Sequence, residues 1–498
     1  MSMNTTALSK TRGFSEEALK EISWSKSEPE WLLQRRLEAW RLCESMPLPT
    51  RKEEEWRRTD LSMLDLDSVV PSVGGTDRVQ RLEELPEGLR LALGAPRRGR
   101  RGDGETRRRG DREAGRSGDE DAPPSHAGKG AGGLGLPRAG GLSPSEPSGA
   151  LLVQHNSLGI YRYLPSELVS KGVILSDLDS AVRKYPDLVK RHLMAYVSPA
   201  ANKFAALNAA FWSGGAIVYV PRYVEVRMPV HALTWSDSPG LGVMPHTLLI
   251  VEPGASLTFV EEFASPQEDA PAVANGVLEL SLGEGAHVQY VSLQRWADTT
   301  FNFTLQRAAI GRDAELASLS VVLGSKVTKS WVEAALLEPG ASARLSGIMF
   351  GGGQQRFHHH TLQDHQAAST NSDLLFKGAL VDQARSEFSG LIRVHPDAWK
   401  TDAYQANRNL LLSPNARADS MPKLEILNND VRCTHGATVG PIDPEQLFYL
   451  MSRGLSQAAA EWMIVQGFFE PLIERIPLES VRAKVRLAVD EKLSTGAP

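Results

Sequence analysis

The chain has 498 residues, of which 41% are hydrophobic, and a formal net charge of −5 with a pI near 6.2. This slightly acidic balance excludes a protein that binds nucleic acid through its overall charge. The two cysteines, Cys43 and Cys433, are too few for a disulfide framework and indicate a reducing compartment. We therefore expect no nucleic-acid partner.

The beginning of the chain and its hydropathy predict a cytoplasmic protein. Residues 1–27 are mixed in charge and lack the apolar core of a secretory signal, and their glutamates argue against a transit peptide. The sequence has no apolar run that approaches the roughly 20 residues needed to span a bilayer. We therefore expect no membrane partner.

Residues 1–93 are predicted to form an N-terminal helical region. Within it, residues 15–46 read as one helix, because four large apolar side chains fall near one stripe at helical spacing. These side chains are Trp31, Leu33, Leu37 and Trp40. The prolines Pro47 and Pro49 are expected to end the helix.

Residues 94–149 have a different composition from the rest of the chain. They are rich in Arg and Gly and contain no Val, Ile, Phe, Tyr, Trp or Met. Such a segment cannot offset its ordering entropy, so we expect a disordered linker or insert. A basic arm that binds nucleic acid and a reading-frame artefact remain alternatives.

Residues 150–215 are predicted as a mixed α/β lead-in, with a helical stretch over 185–211. From residue 216 the pattern changes to short strand runs bounded by Pro and Gly, and residues 216–440 are predicted as the β core. A weak repeat supports this, in which a tight turn ending in alanine separates two strands. The alanines are Ala255, Ala286, Ala314 and Ala341, spaced by 31, 28 and 27 residues. This period favours a β-solenoid over a β-sandwich or jelly roll.

Residues 441–498 are predicted to form a C-terminal helical region of three helices. Asp443 and Pro444 are typical of a helix N-terminus, and Leu447, Leu450 and Met451 are expected to face inward. The second helix is predicted over about 456–469 and the third over about 478–493. These helices either cap the β core or provide a docking surface for another protein.

Cys433 and His435 form the most informative pair in the sequence. In an extended segment alternate side chains share a face, so the thiol and the imidazole are predicted to point the same way. Both are ligands for thiophilic metals, but two ligands cannot close a site alone. A partner chain or a substrate has to supply the others. The alternative is that Cys433 is an ordinary buried cysteine.

His358, His359, His360 and His365 form a second cluster of possible metal ligands. His358 and His360 share a face of a strand, as a metalloenzyme would require. No neighbouring pattern completes a catalytic ligand set, so we favour a structural histidine ladder that is hydrogen-bonded to residues such as Thr361 and Asp364.

No Walker loop, dinucleotide fingerprint or serine nucleophile elbow occurs in the sequence. If ATP is involved, another subunit is expected to hydrolyse it. The amide-rich run 400–412 is expected to hydrogen-bond between adjacent turns of a solenoid.

Several long motifs, in one order along the chain, resemble the SufB/SufD family of iron–sulfur cluster assembly proteins. The resemblance covers residues 15–93 and 151–498, and the insert 94–149 departs from the family. The motifs are Phe376-Lys377-Gly378, Val394-His395-Pro396-Asp397-Ala398 and the runs 400–412, 433–440 and 446–454. The run 436–440 after His435 is more similar to the SufD branch than to the SufB branch.

The resemblance implies a mainly β fold, in which a right-handed parallel β-helix core lies between N-terminal and C-terminal helical regions. It implies a non-catalytic scaffold in a complex with a SufB-like subunit and a SufC-like ATPase, which would dock on the C-terminal helices. A transient iron–sulfur cluster would form at the SufB interface, and none would be tightly bound by this chain alone. The isolated chain could also form a homodimer.

Carried over by the resemblance, His435 is the metal ligand that this chain contributes, and Cys433 has a supporting role. Two alternatives remain. One is a SufB-like subunit that carries the cluster itself, against which the cysteine count argues. The other is a cupin-like metalloenzyme that uses the histidines of 358–365.

Overall fold

The computed structural model describes residues 13–71, 78–93, 149–476 and 479–495. The predicted linker, apart from Gly149, lies outside the described residues. The described residues form two large sheets, with helices at both ends of the chain.

The α-helices are α1 (Glu16–Ser25), α2 (Glu30–Ser45), α3 (Glu87–Ala92), α4 (Ser166–Ser170), α5 (Leu178–Lys184), α6 (Pro186–His192), α7 (Lys203–Phe211), α8 (Pro444–Ser452), α9 (Gln457–Ile473) and α10 (Glu479–Thr495). Short 3-10 helices span Glu54–Trp56 and Leu82–Glu84.

The strands before the regular part of the core are β1 (Val70–Pro71), β2 (Ala150–His155), β3 (Leu158–Tyr163), β4 (Ile174–Asp177), β5 (Ala216–Val220), β6 (Val230–Trp235), β7 (Leu241–Val243) and β8 (His246–Val251). The later strands are β9 (Ser256–Ala264), β10 (Val273–Leu282), β11 (His287–Arg295), β12 (Phe301–Ile310), β13 (Glu315–Val322), β14 (Val327–Leu336), β15 (Ser342–Gly351), β16 (Arg356–His365), β17 (Asn371–Leu380), β18 (Arg385–Val394), β19 (Asp402–Leu411), β20 (Arg417–Ile426) and β21 (Arg432–Pro441).

The chain alternates between the two sheets, and each new strand is added beside the preceding strand of the same sheet. Sheet I runs β4-β5-β8-β10-β12-β14-β16-β18-β20, and sheet II runs β3-β2-β6-β9-β11-β13-β15-β17-β19-β21. From β5 in sheet I and β6 in sheet II onward, neighbouring strands along these paths are parallel. The result is a parallel β-solenoid of about eight turns between residues 217 and 441. The predicted parallel β-helix, flanked by helices, is confirmed, and the β-sandwich and jelly roll are excluded.

The repeated alanines mark the corners where the chain passes from sheet I to sheet II. Each is completely buried, at 0% exposure, and packs in the core between the sheets. In three of the four corners the preceding glycine has a positive φ, and in the remaining corner Asp313 takes that conformation with φ 52°. A tight corner leaves room for a methyl group but not for a larger side chain. The alanine repeat in the sequence therefore arises because each passage from sheet I to sheet II needs a small buried side chain at the corner.

We call the space between sheets I and II the lumen, and its two sides differ in character. Along the corner with the alanines it is filled by aliphatic side chains, such as Leu249, Leu280 and Ile310. Away from that corner polar groups, among them Thr247 and Glu261, lie among apolar side chains such as Trp296. The interior of the solenoid is therefore mixed in character outside the alanine corner.

The helices cover the outer faces of the two sheets. On sheet I, α7 contributes Phe204, whose ring stacks on Phe303 and on Trp56. On sheet II, α9 and α10 bury Val465, Phe469 and Val485 against strands of the middle turns. Two of the C-terminal helices thus cap the β core, as one of the two sequence interpretations expected.

Two predicted helices are each divided in the structure. Residues 15–46 form α1 and α2 rather than one helix, because the chain turns at Ser27, which has a φ of 52°. The stretch 185–211 forms α6 and α7, with Met194 at a φ of 59° between them. The apolar spacing continues across both turns, so periodicity alone could not detect them.

Glu261 is a buried carboxyl group in the lumen. It accepts hydrogen bonds from Thr247 Oγ1 at 2.7 Å and Tyr290 OH at 2.9 Å. Burial raises its pKa from an ordinary 4.5 to about 7, and these two hydrogen bonds offset only part of that effect. The folded state therefore favours the protonated acid. Its contribution to stability is complete below about pH 4.5 and is lost as the pH rises through about 7.

We predict that Glu261→Gln removes this pH dependence, because the amide stays neutral. The free energy of unfolding of the variant, relative to wild type, should rise by roughly 3 kcal/mol between about pH 5 and about pH 8. Chemical denaturation at both pH values measures it. Glu284→Gln, at an exposed corner position, is the control. If the free energies of unfolding of Glu261→Gln and wild type differ by the same amount at both pH values, the raised pKa of Glu261 is contradicted.

Candidate functional site

The solenoid ends on two strands that present an open edge. Strand β20 is hydrogen-bonded only to β18 in sheet I, and β21 only to β19 in sheet II, among the strands of the described residues. Both are ten residues long, and neither contains a buried residue. We call β20 and β21 the open end. An exposed edge leaves backbone N–H and C=O groups ready to pair with another chain.

Cys433 and His435 both lie on β21. Their backbone partners on β19 are Ala403 and Gln405, which are buried and face the lumen. Because neighbouring residues in register share a face of a sheet, the thiol and the imidazole point toward the lumen side of the open end. The prediction that they share a face is confirmed.

The two side chains differ in their surroundings. Cys433 is half-buried and packs against a small apolar cluster that contains Ile392, Val394 and Ala403. His435 is exposed. Burial, with a smaller contribution from the charge of Asp402, raises the pKa of the Cys433 thiol. The thiol therefore stays protonated near neutral pH and has to lose its proton to bind a metal.

The pair can contribute one sulfur and one nitrogen ligand at an accessible edge. No group of three or more His, Cys, Asp or Glu side chains in the described ranges is arranged to hold a metal ion. Thiolate and imidazole are suitable ligands for iron and for iron–sulfur clusters. What the geometry offers is a half-site, to which another molecule can add ligands.

Strand β19, which pairs with β21, carries buried amide side chains. Gln405 Nε2 donates to Gly390 O at 3.4 Å and to Lys423 O at 3.2 Å, which links both sheets. Asn407 Nδ2 donates to Phe376 O on the previous turn at 3.4 Å. Hydrogen bonding between adjacent turns was predicted for this run and is confirmed. Sequence reasoning did not single out Gln405 as the neighbour of His435, because only the strand register reveals it.

The histidines of 358–365 contact other side chains of this protein, as the structural interpretation predicts. His358 and His360 lie on the outer face of sheet I, where His358 Nδ1 lies 3.1 Å from Glu387 Oε2 and His360 Nε2 lies 2.8 Å from Lys329 Nζ. His365 faces the lumen and contacts Ser372 Oγ at 2.7 Å. Since the ligands of the cupin-like alternative point to opposite faces of β16, they do not converge on one metal.

The partners predicted for these histidines were wrong. For His358, His359 and His360 they are residues of neighbouring turns, and for His365 they are Thr370 and Ser372 at the next corner. Asp364 instead contacts His395 Nε2 at 3.0 Å. Burial lowers the pKa of His359 to about 3, which keeps its ring neutral.

The prediction that helix α8 turns its apolar residues inward was wrong, because the helix is more exposed than expected. Leu447 and Leu450 are half-buried, Met451 is exposed, and the helix contains no buried residue. Phe448 is 74% exposed and Tyr449 is 56% exposed, and Trp462 and Met463 of α9 are exposed as well. Exposed aromatic residues of this kind mark interaction surfaces. We call this set the α8–α9 surface.

Comparison with known proteins agrees with the fold. Residues 234–468 match the model of the SufBD core domain of the SUF system for iron–sulfur cluster assembly, and residues 150–232 match the SufBD N-terminal region. An iron–sulfur cluster assembly SufBD family protein of Staphylococcus haemolyticus is 31% identical over 469 residues, which cover 94% of this chain and 90% of the relative. Relatives from Staphylococcus saprophyticus and Staphylococcus epidermidis are each 30% identical over the same shares.

The fold and the open end therefore define a β-solenoid protein with a thiol and an imidazole on one face of its last strand. The chain belongs to the SufBD family, and its role lies in iron–sulfur cluster assembly by the SUF system. Members of this family are generally non-catalytic assembly components. None of the helices in the part of the chain that the structure describes is long and apolar enough to cross a membrane.

Proposed function

We propose that this chain is a SufD-like scaffold subunit, which forms a nascent-cluster site with a SufB-like subunit in the cytoplasm. The observation that carries the proposal is the position of Cys433 and His435 on the last strand of an open solenoid. A partner strand that pairs with β21 brings its own side chains directly beside this pair, because paired strands lie about 4.8 Å apart. The site is then completed across the interface.

In this proposal the cluster is cargo, and the residues of this chain bind it only transiently. His435 is the accessible ligand, since its side chain is exposed and imidazole nitrogen binds iron. Cys433 is half-buried, with a raised thiol pKa, so it acts as a secondary ligand that needs the metal to displace its proton. A site to which this chain contributes so few ligands releases its cluster readily, as transfer to a recipient protein requires.

The SufD-like assignment rests on the low number of cysteines and on the residues after His435. A chain that carries a cluster alone generally needs about four thiolates, whereas this chain has two cysteines, of which Cys43 is buried among the N-terminal helices. The SufB-like alternative is therefore disfavoured. A homodimer through the same open end is the expected state when the SufB-like subunit is absent.

The test is anaerobic co-expression with the SufB-like and SufC-like subunits, comparing wild type with His435→Ala. Because His435 is exposed, the variant should fold and assemble, but its bound iron and sulfide should fall by roughly tenfold or more. Iron and acid-labile sulfide per complex measure the effect. His395→Ala is a matched control, since this histidine lies near the open end but contacts Asp364. An intact complex with undiminished iron and sulfide would refute the role of His435.

We propose further that the SufC-like ATPase docks on the α8–α9 surface. The support is chemical: Phe448, Tyr449 and Trp462 are exposed aromatic side chains, a type enriched at the centres of interfaces. Helices α9 and α10 are meanwhile fixed to sheet II, partly by the contact of Lys484 Nζ with Glu262 Oε2 at 3.0 Å. A force applied at α8 by ATP-driven closure is thus transmitted to the solenoid.

Truncation of the aromatic side chains should weaken this docking without unfolding the chain. We expect Phe448→Ala to reduce affinity for the ATPase subunit roughly tenfold, about 1.4 kcal/mol, measured by calorimetry or interferometry. Leu487→Ala removes a similarly exposed apolar side chain, 52% exposed, from α10 and is the control. If both variants lose affinity equally, or if Phe448→Ala loses none, the ATPase subunit does not dock on the α8–α9 surface.

A further inference from the structure

The lumen contains a cavity of about 50 Å³ between the first regular turns of the solenoid. Both sheets line it, and its wall is mainly apolar, with Trp296 and Val322 among the lining residues, but it also contains polar side chains. Residues of this wall include Thr247, Glu261, Gly276, Gln294, Thr304 and Ser320. The corner with the repeated alanines is packed with aliphatic side chains in the same turns, and the cavity lies beside this packing.

Buried polar atoms of the lumen lack a hydrogen-bond partner within the described protein. Gln294 is 6% exposed and its Oε1 accepts from Gly324 N at 2.9 Å, but its Nε2 has no partner there. Further along the lumen the same holds for His359 Nε2 and Thr361 Oγ1, also among the described residues. Leaving such a group unsatisfied destabilises the folded state, and native proteins rarely do so.

Glu261 adds an ionisable group to the cavity wall. Its carboxyl oxygens accept hydrogen bonds from the hydroxyls of Thr247 and Tyr290, and no Lys, Arg or His of the described ranges forms an ion pair with it. A buried carboxyl group without a cation favours its protonated form, and its oxygens remain able to accept hydrogen bonds from water. Space is present for water, because a Cβ added at Gly276 would meet nothing nearer than Pro245 Cγ at 3.6 Å.

We propose that this cavity is a water-binding site, which holds several long-lived water molecules between Glu261 and Gln294. A bound water needs roughly 10–15 Å³ and two to four polar partners, so the cavity accommodates about three to five. These waters donate to the carboxyl oxygens of Glu261 and accept from Gln294 Nε2. An apolar occupant would leave the same groups unsatisfied.

The test is ¹⁷O magnetic relaxation dispersion of water on the full-length protein, which detects water molecules trapped in the interior. Wild type should show a trapped-water component, and Gly276→Val should reduce it by about one or two molecules, since the isopropyl group fills part of the cavity. Gly276→Ala is a milder variant with a smaller loss. Gly440→Val adds the same side chain to open space on β21 and should leave the component unchanged.

A second measurement separates a hydrated cavity from a dry one. Dry apolar cavities take up xenon, whereas a hydrated polar cavity does not. We expect no xenon in this cavity of wild-type crystals under pressure, and ordered water density beside Glu261. Xenon bound beside Gly276, or a trapped-water component that is equal in wild type, Gly276→Ala and Gly276→Val, would overturn the proposal.

Discussion

The parallel hydrogen-bonded ladder is the constraint on which the rest of this structure depends. Each strand of the solenoid satisfies its backbone groups with the strand before it and the strand after it, so the ladder cannot end without leaving one edge unpaired. Here that edge is β20 and β21, and the thiol–imidazole pair is built into it. In the proposed function, the unpaired edge and the metal ligands that await completion therefore lie at the same place.

The interior of the solenoid serves two purposes. Alanines at the corners allow the chain to turn tightly, and the aliphatic side chains beside them provide the hydrophobic core. Elsewhere in the lumen hydroxyl, amide and carboxyl groups lie among apolar side chains, with Glu261 and Gln294 next to a cavity. In our proposal these polar groups bind water, while the alanine corner and the covering helices provide most of the hydrophobic packing.

Sequence reasoning predicted the features that depend on local patterns. The turn repeat identified the solenoid, and strand alternation placed Cys433 and His435 on one face. The hydrogen-bond partners of the histidines were missed, because strand register fixes the partner of His358 and corner geometry fixes that of His365. The helix break at Ser27 was missed because the apolar periodicity continues across it. The exposure of α8 was missed because the sequence does not show which helix face another element covers.

The most direct test of the account is hydrogen–deuterium exchange of this chain, alone and in complex with the SufB-like subunit. If the open end is the assembly surface, the backbone amides of β20 and β21 should exchange more slowly in the complex, while β3 and β4 at the opposite end should be unchanged. Protection of β3 and β4, with unchanged exchange in β20 and β21, would contradict it.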